Sequence, residues 1–372
     1  MASRLQQVSG HLTGSNTSAN KIGVKSPEDV VIVSALRSAI TRARKGGFKD
    51  TLPEEMLSGV FKGVLEQTKI DPALVNDITV GTVLAQGGGA TNARMAALHA
   101  GFPESTAIST VNRQCSSGLQ AVVQIATAIQ TGLIEVGIGA GFESMTKNYG
   151  AASLAPTSEK ISDECQSAAD CLIPMGLTSE NVAADFKVSR AKQDQFAAES
   201  HTRALAAQKN GWFKSEIVPI KATVEDKEGN ESVVVVDQDD GIRAGTTAEK
   251  LAKLRPAFDE QGTTTAGNAS QVSDGAAAVL LMKRKTAEKL GLPILGKYIT
   301  SAVVGVPPRI MGVGPAYAIP AALDKAGISV NDVDLYEINE AFASQAVFSV
   351  DHLNIPYEKG KSPIGLNKEE TY

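Results

Sequence analysis

Cysteine is scarce in this chain and scattered. Cys115, Cys165 and Cys171 are the only three in 372 residues, an odd number with no CxxC pair. Neither a disulfide framework nor a zinc site is indicated, and free thiols in a reducing compartment are the simpler expectation. Excess positive charge is also lacking. With a net charge of −5 there is no global attraction to nucleic acid, so any anionic ligand must be held by local groups. No apolar run is long enough to span a bilayer. No GxGxxG follows the first apolar run with an acid further on, so "AQGGGA", "GIGAG" and "GVGP" are read as turns and close packing rather than as a dinucleotide site.

What is present fits a folded α/β protein of more than one core. The 42% hydrophobic content and 34 glycines predict tight turns and close backbone packing, and the length favours two globular units or one large layered unit. The first 27 residues stand apart: Arg4, Lys21 and Lys25 are basic, no acid precedes Glu28, and "TGSNTSAN" reads as a linker. Within them Arg4, Leu5, His11 and Leu12 follow the pattern R-L-x5-H-L, which resembles the amino-terminal peroxisomal targeting signal. A chance spacing in a tail, or a mitochondrial presequence, is the alternative; four positions matching together favour the peroxisomal reading.

"VVIVSALRSAI" reads as a strand buried on both faces. Thr51 at a capping position, Pro53 and Glu54 in a first turn, and Met56, Leu57, Val60 and Val64 at helical spacing predict a helix. "DITVGTVL", "STAISTVN" and "IEVGIGAG" are predicted strands; "TNARMAALHAG" is a helix ending at Gly101, and the run after Cys115 a helix stopped by Gly132. Such alternation argues for a mostly parallel sheet with helices on both faces. From about 148 to 261 the chain is more polar and reads as an insertion over the sheet, with "ESVVVV" a strand; "PILGKYITSAVVG" opens a second core. Leu65 to Val83 parallels Leu323 to Ile338, each a helix end, a turn containing Val-Asn-Asp, and a strand, which suggests duplication. The expected division is 1–27 targeting-like segment, 28–290 first half with its insertion, and 291–372 second half, which reads as incomplete.

Cys115 lies in "NRQCSSG", between a strand and a helix start, where N–H groups and the helix dipole favour a thiolate. Most free cysteines are buried small hydrophobes. Position leaves the two readings even, and the polar flanks favour a nucleophile.

"NRQCSSGLQA", with "TTAGNASQVSDGAAA", "GVPPRIMGVGPAYAIP" and "EINEAFASQAV", strongly resembles the thiolase family, from about Glu28 to the helix after Phe342. The resemblance implies a duplicated five-layered α/β/α/β/α fold with a loop domain over the active site, and assembly as a homo-oligomer. It implies thiolytic cleavage of a 3-ketoacyl-CoA to acetyl-CoA and a shortened acyl-CoA in fatty acid β-oxidation, with coenzyme A as substrate and no permanently bound cofactor or metal. Cys115 would carry the acyl group, and Asn339 would hold an oxyanion-hole water; a helix cap is the plainer role for Asn339. Arg243 and Phe258 match residues near the adenine and phosphate end of CoA, Ser270 a pantetheine contact, and Met311 and Phe342 apolar walls near the reacting group. Each could equally be an ordinary surface or core residue.

The family also uses a histidine in a GHP motif and a second cysteine in CxGxG. His11, His99, His201 and His352 are followed by Leu, Ala, Thr and Leu, and Cys165 and Cys171 lie in "DECQ" and "DCLIPMG". With the incomplete repeat, this gives the expectation that the carboxyl-terminal part of the family is missing and that the chain alone has little thiolase activity. A non-catalytic shortened product that associates with the full-length enzyme is the alternative from another class. A condensing enzyme of the ketoacyl synthase type would share the nucleophile, but "NEAF" and "AGNAS" favour thiolase. An import receptor for the amino-terminal signal, with neither nucleic acid nor a membrane span, completes the expectations.

Overall fold

The computed structural model describes residues 22–150 and 155–356. The targeting-like Arg4, Leu5, His11 and Leu12 lie outside these residues.

Strand β1 (Val30–Arg37) and the short β2 (Thr41–Arg42) lead to helix α1 (Pro53–Thr68). Then come β3 (Asp77–Gly81), α2 (Ala90–Ala100), β4 (Ala107–Val111), α3 (Ser117–Thr131) and β5 (Val136–Ser144). The expected glycine stops hold: Gly101 and Gly132 follow α2 and α3 in the left-handed conformation. The start of α1 differs from expectation. Leu52 is its N-cap, and the Leu52 N–H donates to the Glu55 carboxylate at 2.7 Å. Thr51 sits one residue too early to cap and is buried instead.

The polar segment holds α4 (Glu159–Glu164), α5 (Gln166–Ala169), α6 (Met175–Asp185), α7 (Arg190–Lys209), the hairpin of β6 (Ile220–Glu225) and β7 (Glu231–Val236), and α8 (Ala248–Leu251). Ile220, Ala222 and Val236 of the hairpin pack into the main core, which seats the segment on the sheet rather than beside it. The chain then returns through β8 (Ser273–Lys283), α9 (Arg284–Lys289) and β9 (Gly296–Lys297), and ends its described part in α10 (Gly314–Ala326) and α11 (Ala343–His352).

Seven strands form one sheet in the order β4-β3-β5-β8-β1-β9, with β2 beside β8. Only β4, β3 and β5 pair in parallel; β8 is antiparallel to β5, β1 and β2, and β9 to β1, so β1 points the same way as β5 with the reversed β8 between them. The sheet is therefore mixed, not mostly parallel. Its two faces are both covered. Val31, Val33, Ile138, Leu280 and Met282 face α1 and α2, while Val30 and Leu281, one residue out of phase, face Ile125, Ala126 and Ile129 of α3.

The second half departs furthest from expectation. "PILGKYITSAVVG" contributes only the two-residue β9, which joins the first sheet, and residues 333–339 form no strand and have no ladder partner among the described residues. The duplicated second sheet of a five-layered arrangement is thus not formed among them. The order of the repeat survives up to that point: α1 is followed by a 3-10 turn at Pro72–Leu74 and β3, and α10 by a 3-10 turn at Val330–Asp332. Tyr336 and Ile338 then turn alternately inward against Val350 and Ile355, the pleat of a strand without its hydrogen-bonded neighbour.

Candidate active site at Cys115

The parallel strands β4, β3 and β5 end on one side of the sheet, and the turn Asn112–Ser116 emerges there. This is the edge at which open α/β sheets place ligands. Glycines let α3 lie against the strands. A Cβ on Gly81 would stand 2.3 Å from the Ser117 carbonyl carbon, and one on Gly139 2.5 Å from Val122 Cα. "GIGAG" is thus a packing surface, as expected.

Cys115 is exposed, which removes the buried-hydrophobe reading. The residue before it, Gln114, has φ +49°, a left-handed conformation that a non-glycine residue adopts at a cost. Four hydrogen bonds hold it there. The Gln114 N–H donates to Asn112 Oδ1 at 2.9 Å, Ser117 Oγ donates to the Gln114 carbonyl at 2.6 Å and accepts the Arg113 N–H at 2.9 Å, and Ser116 Oγ donates to the Arg113 carbonyl at 2.8 Å. The small polar residues of "NRQCSSG" are therefore the scaffold of the turn. Cys115 opens on a cleft of about 470 Å³ whose wall includes Leu119, Val83, Arg37 and Glu143.

Two of these charged residues carry no sequence motif. Arg37, at the end of β1, forks onto Asp239 at 2.7 and 3.0 Å, reaches Glu216 at 2.8 Å, and lies over the Phe213 ring. Burial works against its charge, but Asp239 and Glu216 outweigh it and hold the guanidinium above its ordinary pKa. It fastens the inserted segment beside the cleft. Glu143, near the end of β5, accepts the N–H groups of Val83 and Leu84 at 2.8 and 3.2 Å and the Thr82 hydroxyl at 3.4 Å. Burial pushes its pKa up, partly offset by those donors. An acid inside an otherwise glycine-rich apolar strand was the signal available for it.

The other predicted site residues gather elsewhere. Phe258 and Phe342 meet edge to face at 6.4 Å, and the Ser270 N–H donates to the Ala341 carbonyl at 2.9 Å, so Phe258, Ser270 and Phe342 form one group. Met311 lies in the 3-10 turn Pro308–Val313, and the Arg243 N–H donates to His201 Nδ1 at 3.4 Å. Asn339 is exposed, and Phe342, not Asn339, is the N-cap of α11, so the helix-cap reading of Asn339 is corrected. None of these six lines the Cys115 cleft.

The described histidines are engaged away from the cleft. His99 pairs with Ser58 Oγ at 2.8 Å, His201 holds the Arg243 N–H, and His352 packs on Phe348 and Tyr317. Among the described residues no group of acids, histidines and cysteines could hold a metal ion.

Glu337, two residues before Asn339, is the most perturbed acid. Burial, with Glu216 and Glu340 adding repulsion, raises its pKa to about 7. A raised carboxyl favours the folded state when protonated, so stability falls as pH rises from its ordinary value near 4.5 to about 7. Glu337→Gln is expected to match the native chain at pH 4.5 and exceed it above pH 7, by about 1 kcal/mol once the screening of a partly exposed group is allowed for. Urea unfolding at both pH values checks this.

Comparison with known proteins agrees with the fold. Residues 30–285 match the thiolase N-terminal domain and residues 292–363 the thiolase C-terminal domain. The peroxisomal 3-ketoacyl-CoA thiolase of Yarrowia lipolytica is 56% identical over 335 residues, 90% of this chain and 81% of that protein. The human peroxisomal 3-ketoacyl-CoA thiolase is 53% identical over 371 residues, 97% of this chain and 87% of its own length. Among solved structures, the dimeric peroxisomal thiolase of Saccharomyces cerevisiae superposes with a TM-score of 0.85 at 47% identity, covering 93% of this chain and 88% of that one. The acetyl-CoA acetyltransferase of Bacillus anthracis gives a TM-score of 0.78 at 37% identity, covering 91% and 87%. Because the C-terminal domain is matched, the expectation that this part of the family is missing is not supported. An exposed thiol at the carboxyl edge of a mixed sheet, glycines that seat the helix behind it, and agreement over both domains lead to one assignment: the chain belongs to the thiolase family.

Proposed function

We propose that the chain cleaves 3-ketoacyl-CoA thiolytically, giving acetyl-CoA and an acyl-CoA shortened by the acetyl unit. The observation that carries this is the exposed Cys115 in its strained turn beside the cleft, supported by relatives described as 3-ketoacyl-CoA thiolases. The Cys115 sulfur bonds to the keto carbon, the carbon–carbon bond to the acetyl unit breaks, and its electron pair leaves as the acetyl-CoA enolate, which takes up a proton. The thiol of free CoA then displaces Cys115 from the acyl thioester. The family resemblance assigns Asn339 the water at the enolate oxygen, Arg243, Phe258 and Ser270 contacts to CoA, and Met311 and Phe342 the acyl wall; in the structure none of the six lines the Cys115 cleft.

The thiol proton needs an acceptor, and the described histidines are engaged elsewhere. The comparisons lend no support to a non-catalytic partner of another thiolase. A homo-oligomer fits the yeast relative described as dimeric. Residence in the peroxisome, with an import receptor reading Arg4, Leu5, His11 and Leu12, fits relatives described as peroxisomal, none of which favours the mitochondrion. Incubation with acetoacetyl-CoA and CoA, with acetyl-CoA followed by chromatography, tests the reaction. No product even at stoichiometric enzyme would overturn it.

A further inference from the structure

We infer that Glu143 is a positioning residue for the nucleophile, acting through a continuous relay of hydrogen bonds from β5 to the turn that carries Cys115. This rests on the reading of Cys115 as the acyl carrier. The relay is complete in the structure. The Glu143 carboxylate accepts two successive N–H groups, from Val83 at 2.8 Å and Leu84 at 3.2 Å, and so fixes the peptide between them. The carbonyl of Val83 belongs to that peptide, and it accepts Asn112 Nδ2 at 3.1 Å. The same Asn112 side chain uses its oxygen to accept the Gln114 N–H at 2.9 Å. Gln114 is the residue held at φ +49° immediately before Cys115.

Each link is directional. The amide of Asn112 presents its nitrogen to one loop and its oxygen to the other, so rotating the Val83–Leu84 peptide removes the acceptor and frees the side chain that holds Gln114. A left-handed glutamine relaxes readily once its N–H partner is lost, because ordinary backbone conformations are more favourable. Val83, Gln114, Cys115 and Glu143 all line the same cleft, so the relay runs along the wall against which the acyl group must be oriented. The desolvation of Glu143 is the setting in which a carboxylate held by N–H donors is most effective as an anchor. The sequence distance between Glu143 and Cys115 hides this connection; parallel pairing of β3 with β5 creates it, by placing Gly81 beside Gly141 and bringing the two strand ends together.

The test separates orientation from chemistry and from folding. Acylation of Cys115 by acetoacetyl-CoA is followed by intact mass, alkylation of Cys115, Cys165 and Cys171 by iodoacetamide is mapped on peptides, and amide exchange is followed over residues 82–84 and 112–116. Glu143→Ala is expected to slow acylation about 100-fold, the scale of a misplacement of roughly 1 Å, with the KM for acetoacetyl-CoA unchanged. Alkylation at Cys165 and Cys171 should stay at the native rate, and exchange should rise in both peptides. Glu143→Gln retains one accepting oxygen and should recover part of the rate. Asn112→Ala cuts the relay at an exposed residue; it should reproduce the loss and add nothing to Glu143→Ala. Native exchange over 112–116 in Glu143→Ala, or full additivity of the two substitutions, would overturn the relay. If Glu143→Ala fails to fold, Asn112→Ala alone decides: unchanged acylation and exchange over 112–116 refute it. Failure of the native chain to acylate would instead refute the proposed reaction, while the exchange measurements still judge the relay.

Discussion

Cys115→Ala is expected to abolish the acyl adduct and to reduce acetyl-CoA formation by at least about 10⁴-fold, the scale seen when a covalent nucleophile is removed from an otherwise intact site. The magnitude follows from the order of bond changes. Among the described residues no other sulfur lines the cleft; Cys165 and Cys171 lie in or beside the short helices of the inserted segment. Folding should be untouched, because Cys115 is exposed and its side chain takes no part in the hydrogen bonds that hold the turn. Intact-mass analysis after acetoacetyl-CoA, beside a thermal melt, checks both halves. An adduct of the same mass persisting on the alanine variant would place the acyl carrier elsewhere.

A large effect on stability is expected at Gly139. An added Cβ would lie 2.5 Å from Val122 Cα and 2.7 Å from Val122 N, backbone atoms of α3 that cannot rotate aside. Overpacking against movable side chains costs 1–3 kcal/mol, and against helix backbone about 3 kcal/mol or more is expected for Gly139→Ala. For a chain of 372 residues that lowers Tm by roughly 4 °C. The same strain lifts the start of α3 and should slow acylation of Cys115 as well. Gly118→Ala is the matched control for stability: it lies in α3 itself, and its Cβ would meet nothing within 4 Å. A Tm in Gly139→Ala equal to that of Gly118→Ala would refute the close approach.

These contrasts show what was legible in the sequence and what was not. The helices around Cys115 were readable because their apolar spacing and glycine stops are local, and the turn "NRQCSSG" announced itself by composition. Strand direction was not readable. β1 looks like any strand buried on both faces, and a buried apolar run carries no sign of whether its neighbours run with it or against it. The alternation of strand and helix predicts parallel pairing only while each crossover is short; the inserted segment between β5 and β8 removes that constraint, and β8 comes back antiparallel. The strands expected in the second half failed for a different reason. Alternation set the inward faces of Tyr336 and Ile338, but a strand also needs a neighbour, and pairing is invisible to local pattern. At the site, motif resemblance led to Cys115, whereas Arg37 and Glu143 became visible only when the sheet brought their strand ends to the cleft.

The pairing of β1 with β8, Val30 opposite Lys283, also sets a schedule for biogenesis. The central strand of the sheet is among the last of its strands to leave the ribosome. At 5–20 residues per second, roughly 6–26 s separate synthesis of the end of β5 from that of the start of β8. Throughout that interval β1 and β5 each lack the partner that will separate and join them, and their edges stay open to other nascent chains. A chaperone bound during this interval, or a slow stretch of translation after β8, would therefore raise the yield of soluble protein without any change in the stability of the finished fold.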